Sequence, residues 1–282
     1  MLTVNYHLNV ELDWVEEYAK ALGGYVDHNL LKIPNEEYEG TQYFLSITPD
    51  ISVVFVDCKY TESIQFQLKN NDDSFVVFYY NFLEQNFELV VDSKSQPVPV
   101  WQYSLSLIDS VLSSSYIIPK GSHHNVLYIL VKKNLLKEYL RKIPKYNDLI
   151  EIAFNTEKNT IARFANVRPE SLYRINELRE ISTTNVLFDL ILKSTVYGLL
   201  GDYLEDVISK KIMIGKVSDD ELSQIIMSQM RILSAINESF PSLETLASEA
   251  KMSVEKYQLL YEKITGLSPE EYYLINKKNT QK

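Results

Sequence analysis

The stretch from Pro241 to Tyr273, PSLETLASEAKMSVEKYQLLYEKITGLSPEEYY, decides how the C-terminal part of this chain folds. Leu243, Leu246, Ala247 and Ala250 fall at helical spacing and make one apolar face of a two-turn helix. Met252 fills the corner that follows, and the Ser253 hydroxyl is placed to cap the next helix. That second helix buries Tyr257, Leu260, Tyr261 and Ile264 and stops at Gly266, a residue suited to a left-handed cap. Ser268 and Pro269 then open a third helix. A small residue, a corner and spaced apolar positions are what a helix-turn-helix needs to seat its second helix in a DNA groove. The same pattern also fits a plain helical hairpin used only for packing.

Upstream of this stretch the helical period persists. Ser218 with Glu221 forms a capping box, and the helix it opens carries Leu222, Ile225, Ile226, Met230, Leu233 and Ile236 on one side. A long apolar helix is expected around Val186–Ile208, where Gly198 and Gly201 permit close approach of another helix. Shorter amphipathic segments lie at LLKEYLRKI and SLYRINELREI. Before about Asn134 the period is that of strands. In SIQFQL, Ile64, Phe66 and Leu68 oppose Gln65 and Gln67, and Trp101, Tyr103, Leu105 and Leu107 alternate with polar residues in the same way. One early helix is expected at Asp13–Leu22, ended by Gly23-Gly24.

The expected class is therefore α+β. A β-rich domain over residues 1–133, a sandwich or a barrel, precedes a helical linker over 134–216 and a helix-turn-helix unit over 217–282.

The chain has 282 residues, enough for two ordinary domains, and a formal charge of −10. An acidic chain binds DNA only through local placement of Lys and Arg. The single cysteine, Cys58, excludes an intrachain disulfide and a thiolate metal cluster. Residues 1–14 lack the basic-then-apolar order of a secretory signal, and Asp189, Lys193, Asp202, Glu205 and Asp206 break the most apolar helix. The expectation is a cytoplasmic protein with no membrane partner.

The quoted stretch resembles the first helix-turn-helix of AraC-family transcriptional regulators. LETLA, the run Ala-Lys-Met-Ser, the Tyr-x-x-Leu-Tyr spacing and TGLSPEEY carry the resemblance. It implies a cupin-like sensor domain in the strand-rich half, a connecting helix that often dimerises, and regulation of transcription through DNA binding. It also implies an effector, small molecule or protein, and a homodimer. The family joins two helix-turn-helix units, and only the first lies in this sequence. Ser253, Glu255, Lys256 and Gln258 are the positions placed to meet DNA. There are departures: Leu259 and Glu262 stand where the family commonly shows Arg and Lys, and Lys251 replaces the corner glycine. From Phe240 to Lys282 six lysines balance six glutamates with no arginine, so strong DNA binding does not follow from charge. A second reading is a truncated relative that has lost DNA binding and acts by sensing or partner binding.

No catalytic or cofactor motif is visible, neither a Gly-rich phosphate loop, a nucleophile elbow nor HExxH, and an enzyme is not expected. His123 and His124 are read as exposed imidazoles in a turn, without metal. Phe66, Phe78, Tyr80, Trp101 and Tyr103 are candidate ligand-lining residues of the β domain, with core filling as the alternative for each.

Overall fold

The structure is a computed structural model that describes residues 1–34, 38–82, 87–91, 94–98, 105–209 and 212–280. The chain opens with β1 (Leu2–Tyr6), α1 (Val15–Ala21), β2 (Tyr25–Asp27), β3 (Leu30–Lys32), β4 (Tyr38–Thr48) and β5 (Ile51–Tyr60). It continues through β6 (Ile64–Leu68), β7 (Phe75–Asn81), β8 (Phe87–Val91), β9 (Lys94–Val98), β10 (Leu105–Asp109), β11 (Ser114–Ile118) and β12 (His123–Lys132). Next come α2 (Lys133–Arg141), α3 (Ile150–Ala153), β13 (Ala162–Ala165), α4 (Pro169–Arg179) and α5 (Phe188–Ser209). The last helices are α6 (Asp219–Ser234), α7 (Leu243–Glu249), α8 (Val254–Thr265) and α9 (Pro269–Thr280).

The class is α+β, as expected. A five-stranded sheet ordered β1-β6-β11-β8-β9 faces an eight-stranded sheet ordered β13-β10-β7-β12-β5-β4-β3-β2. The pair β1–β6 is parallel, whereas the long pairs of the larger sheet are antiparallel. The larger sheet is covered on both faces, which explains why β5 and β7 read as continuous apolar runs. Val54, Val56, Phe75 and Val77 point into the core between the sheets. Val53, Phe55, Val76 and Phe78 point the other way, against Ile175 and Leu178 of α4 and Phe188, Leu192, Val196 and Leu199 of α5.

Residues 134–216 are more than a helical linker. β13 arises within them and pairs with β10, from Leu105 opposite Ala165 to Ile108 opposite Ala162, extending the sheet. Its four residues are too few to show a readable period. The outer side of β13 packs on α8. Ile108, Leu112, Ala162 and Phe164 share one core with Ile225, Leu246, Tyr257, Tyr261 and Ile264. The helical C-terminal unit is thus built onto the sheet edge.

Candidate functional site: a helix-turn-helix surface and the cavity behind it

The helix-turn-helix forms for the local reasons its sequence carries. Ser242 accepts from the Thr245 amide and caps α7; Ser253 accepts from the Lys256 amide at 3.3 Å and caps α8. Lys251 at the corner has φ +58°, the left-handed region where its Cβ costs on the order of 1 kcal/mol relative to glycine. Gly266 ends α8 with φ +76°. Ser268 and Glu271 exchange the two hydrogen bonds of a capping box at the start of α9. Tyr257 is buried and its hydroxyl meets Ser228 Oγ of α6 at 2.6 Å, fixing the roll of α8.

Ser253 at the N-cap of α8 and Glu255, Lys256 and Gln258 in its first turns are all exposed, spread around the solvent side of the helix. Lys256 is engaged: its Nζ stands 2.5 Å from Glu221 Oε1 on α6. Leu259 is 47% exposed beside this face, and Glu262 is exposed one turn further on. The other α8 lysine, Lys263, turns inward and is buried. The outward face of α8 therefore carries two carboxylates and one cation already paired.

The ligand candidates of the β domain do not form one site. Phe66 lies between the sheets, stacked on Tyr116 with centroids 5.4 Å apart. Phe78 and Tyr80 belong to the opposite face of the larger sheet; Phe78 meets the edge of Tyr203 on α5 at 4.9 Å. Trp101 and Tyr103 lie outside the described residues. The space between the sheets is filled by tyrosines, leaving a void of about 10 Å³ that admits no more than a water. Tyr18 donates to Gln42 Oε1, whose amide nitrogen donates to the Tyr60 hydroxyl, and Tyr6 meets Tyr116 at 3.2 Å.

The two histidines are a correction to the turn expected from the sequence. Both sit on β12, facing opposite ways. His123 Nε2 meets Asp57 Oδ1 at 2.5 Å, half-buried on the helix-covered side. His124 is buried near Tyr60, and burial, then repulsion from His123, pushes its pKa down to about 3. Cys58 is fully buried as well, and burial pushes its thiol up to about 12, away from the thiolate form.

A cavity of about 170 Å³ opens on the other side of the sheet, between β10, β13, α2, α5 and α8. Leu107, Leu136, Phe154, Tyr203 and Val207 give it apolar walls, and Tyr80 reaches it from β7. Arg163, Arg168 and Lys263 bring positive charge to its lining, against Asp206. Lys263 Nζ donates to Asn159 Oδ1 at 2.7 Å and to the Met213 carbonyl at 2.9 Å, both neutral acceptors. Loss of hydration lowers its pKa to about 8, against the opposing charge of Asp109. Arg163 Nη1 donates to the carbonyls of Glu262 and Lys263 at 3.2 Å, satisfying the open end of α8. An ammonium buried against neutral oxygens in an apolar cavity is suited to an anionic group with an apolar body.

Sequence reasoning missed Lys263, Arg163 and Asn159 as site residues. One signal was present: Lys263 follows Leu260 by three residues and adjoins Ile264, so it sits at the edge of the apolar face of α8.

No protein-family model matches the chain, and no curated protein matches it in sequence. Its fold is similar to solved structures at low identity. The AraC-like transcriptional activator CuxR is 10% identical at a TM-score of 0.34, over 86% of this chain and 79% of that one. Apo ToxT from Vibrio cholerae, in a single-substitution variant, is 12% identical at 0.32, over 80% and 97%. ToxT from the same species with an unsaturated fatty acid bound is 11% identical at 0.31, over 80% and 96%. Likeness at this level carries no argument about activity.

Proposed function

We propose that this chain is a transcriptional regulator that binds DNA through α7 and α8 and senses a ligand in the cavity behind α8. The observation that carries the reading is that α8 has one side open to solvent and another that lines the cavity. Ser253, Glu255, Lys256 and Gln258 are exposed at its N-cap and first turns, and its inward face supplies Lys263 to a cavity shared with the sheet. The ligand class that suits the cavity is an amphipathic acid, with its anion at Lys263 and its apolar body against Leu107, Phe154 and Val207. Residues 1–133 together with β13 would form the sensor, residues 166–216 the connection and 217–282 the DNA-binding unit. The protein would act as a homodimer through the outer face of α5, where Leu190, Tyr197 and Ile208 are exposed. Selection of duplexes from a random-sequence pool by the purified chain tests the reading. Recovery of a recurrent motif, bound less well by Lys256→Ala and Gln258→Ala, supports it; a pool left unenriched at low salt overturns it.

One observation favours a second reading, a regulator that works through a protein partner without DNA. Glu255 and Glu262 leave the outward face of α8 acidic once Lys256 is paired and Lys263 is buried. The same selection separates the two.

A further inference from the structure

α8 holds two lysines, and both are occupied inside the molecule. Lys263 is committed to Asn159 and Met213. Lys256 stands at one of the DNA-facing positions, with Nζ 2.5 Å from Glu221 Oε1. Glu221 is held in place from its other side. Its Oε2 accepts the Ser218 amide at 2.8 Å, and its own amide donates to Ser218 Oγ, completing the capping box of α6. The carboxylate side chain is 20% exposed, whereas the lysine is 54% exposed, so the anion is the fixed partner and the cation the mobile one. Burial raises the Glu221 pKa, but its hydrogen bonds to Lys256 and Ser218 outweigh this and leave it lowered, so it is charged at neutral pH.

We infer that Glu221 is an internal competitor for DNA phosphate, occupying the cation of α8 that a DNA backbone would use. The inference rests on the DNA-binding reading above and concerns how that surface is restrained. A phosphate oxygen and the Glu221 carboxylate are both charge-assisted acceptors for one ammonium, and the carboxylate neutralises that cation, holds it toward α6 and repels an approaching phosphate. DNA phosphate must compete with the Glu221 carboxylate for the charge and position of Lys256, so affinity is lower than the four surface positions alone would give. The arrangement also ties the α8 surface to the start of α6, which follows directly on the 212–217 segment beside the cavity. Met213 of that segment accepts from Lys263, and Gly215 donates to Asn159 Oδ1.

The test is a double-mutant cycle read by fluorescence anisotropy, with the full chain titrated onto a mixed-sequence DNA duplex at low salt. Glu221→Gln keeps the capping box, because a glutamine amide oxygen accepts the same amide, but removes the charge. The expected results are a several-fold gain in affinity and a salt slope steeper by about one released counterion. In a Lys256→Ala background the same change is expected to have no effect. Asp220→Asn, an equal change of charge on the same turn, controls for the general field and is expected to move affinity less. Equal gains from E221Q and D220N, or a gain from E221Q that persists without Lys256, overturn the inference while leaving DNA binding standing. No binding by any variant, with circular dichroism showing intact helices, overturns the inference together with the reading beneath it.

Discussion

Two buried basic side chains set the pH behaviour. His124 is held neutral, with its pKa lowered from 6.5 to about 3, so the unfolded chain binds one more proton than the folded chain between these values. Stability from this group is complete above about pH 6.5 and is lost as pH falls toward 3, by on the order of 4 kcal/mol. Urea titrations of the wild type and His124→Phe should diverge below pH 6, the variant losing less; parallel curves would refute the assignment. Lys263 has the opposite functional consequence. Its pKa of about 8 means the ammonium is lost as pH rises through that value, and with it the attraction for an anion. Binding of decanoate, measured calorimetrically, should weaken from pH 7 to pH 9 and be nearly abolished by Lys263→Met. At this scale the sequence was legible where a residue acts through its own helix. Ser253, Ser268 and Gly266 were readable as caps because each needs only its neighbours. Lys263 was readable only as one charge among six lysines, because its partners Asn159 and Met213 lie far away in the chain.

At the scale of elements, α8 is fastened to β13 by a cap supplied from a distant strand. Gly266 has φ +76°, and a Cβ there would fall 1.6 Å from Arg163 Nη2. Gly266→Ala should therefore cost about 2 kcal/mol or more in chemical denaturation, beyond the ~1 kcal/mol of positive φ alone. Arg163→Ala in the same chain should recover the steric part; equal losses with and without Arg163 would exclude the contact. α5 is the other telling element. Its inner side meets the sheet through Leu192, Val196 and Leu199, yet Leu190 and Tyr197 on its outer side are also apolar and are exposed. The length and apolar character of this helix are legible in the sequence, but apolar residues on both sides conceal which face the sheet takes. Leu190→Glu with Tyr197→Glu should halve the mass seen in sedimentation if that face joins two copies, and an unchanged mass would remove α5 from the interface. β13 shows the complementary failure: four residues are stabilised by pairing with β10 and cover from α8, not by a period of their own.

For the whole molecule, the buried ion pair of Lys133 and Asp109 joins three parts of the chain. Lys133 Nζ lies 2.7 Å from Asp109 Oδ1, and Asp109 Oδ2 accepts the Ile161 amide just before β13. Asp109→Ala leaves a buried ammonium without its partner and should lower unfolding stability by roughly 3–5 kcal/mol, read from urea midpoints. The α+β class and the order of its parts were legible because strand and helix periods occupy separate halves of the chain. The cavity behind α8 was not, since its walls come from elements far apart in the chain, among them β10, β13, α2, α5 and α8, and it exists only once they meet. Strand alternation points to ligand residues inside the β domain, where the void beside Phe66 between the sheets is only about 10 Å³, whereas the cavity behind α8 lies on the outer face of the larger sheet. The central claim is that ligand and DNA surfaces are coupled through α8. It is tested most directly by the affinity of the chain for its selected duplex with and without saturating decanoate. The expected result is a change of about fivefold or more, a coupling of at least ~1 kcal/mol, that disappears in Lys263→Met. Decanoate bound in the cavity with DNA affinity unchanged would contradict it.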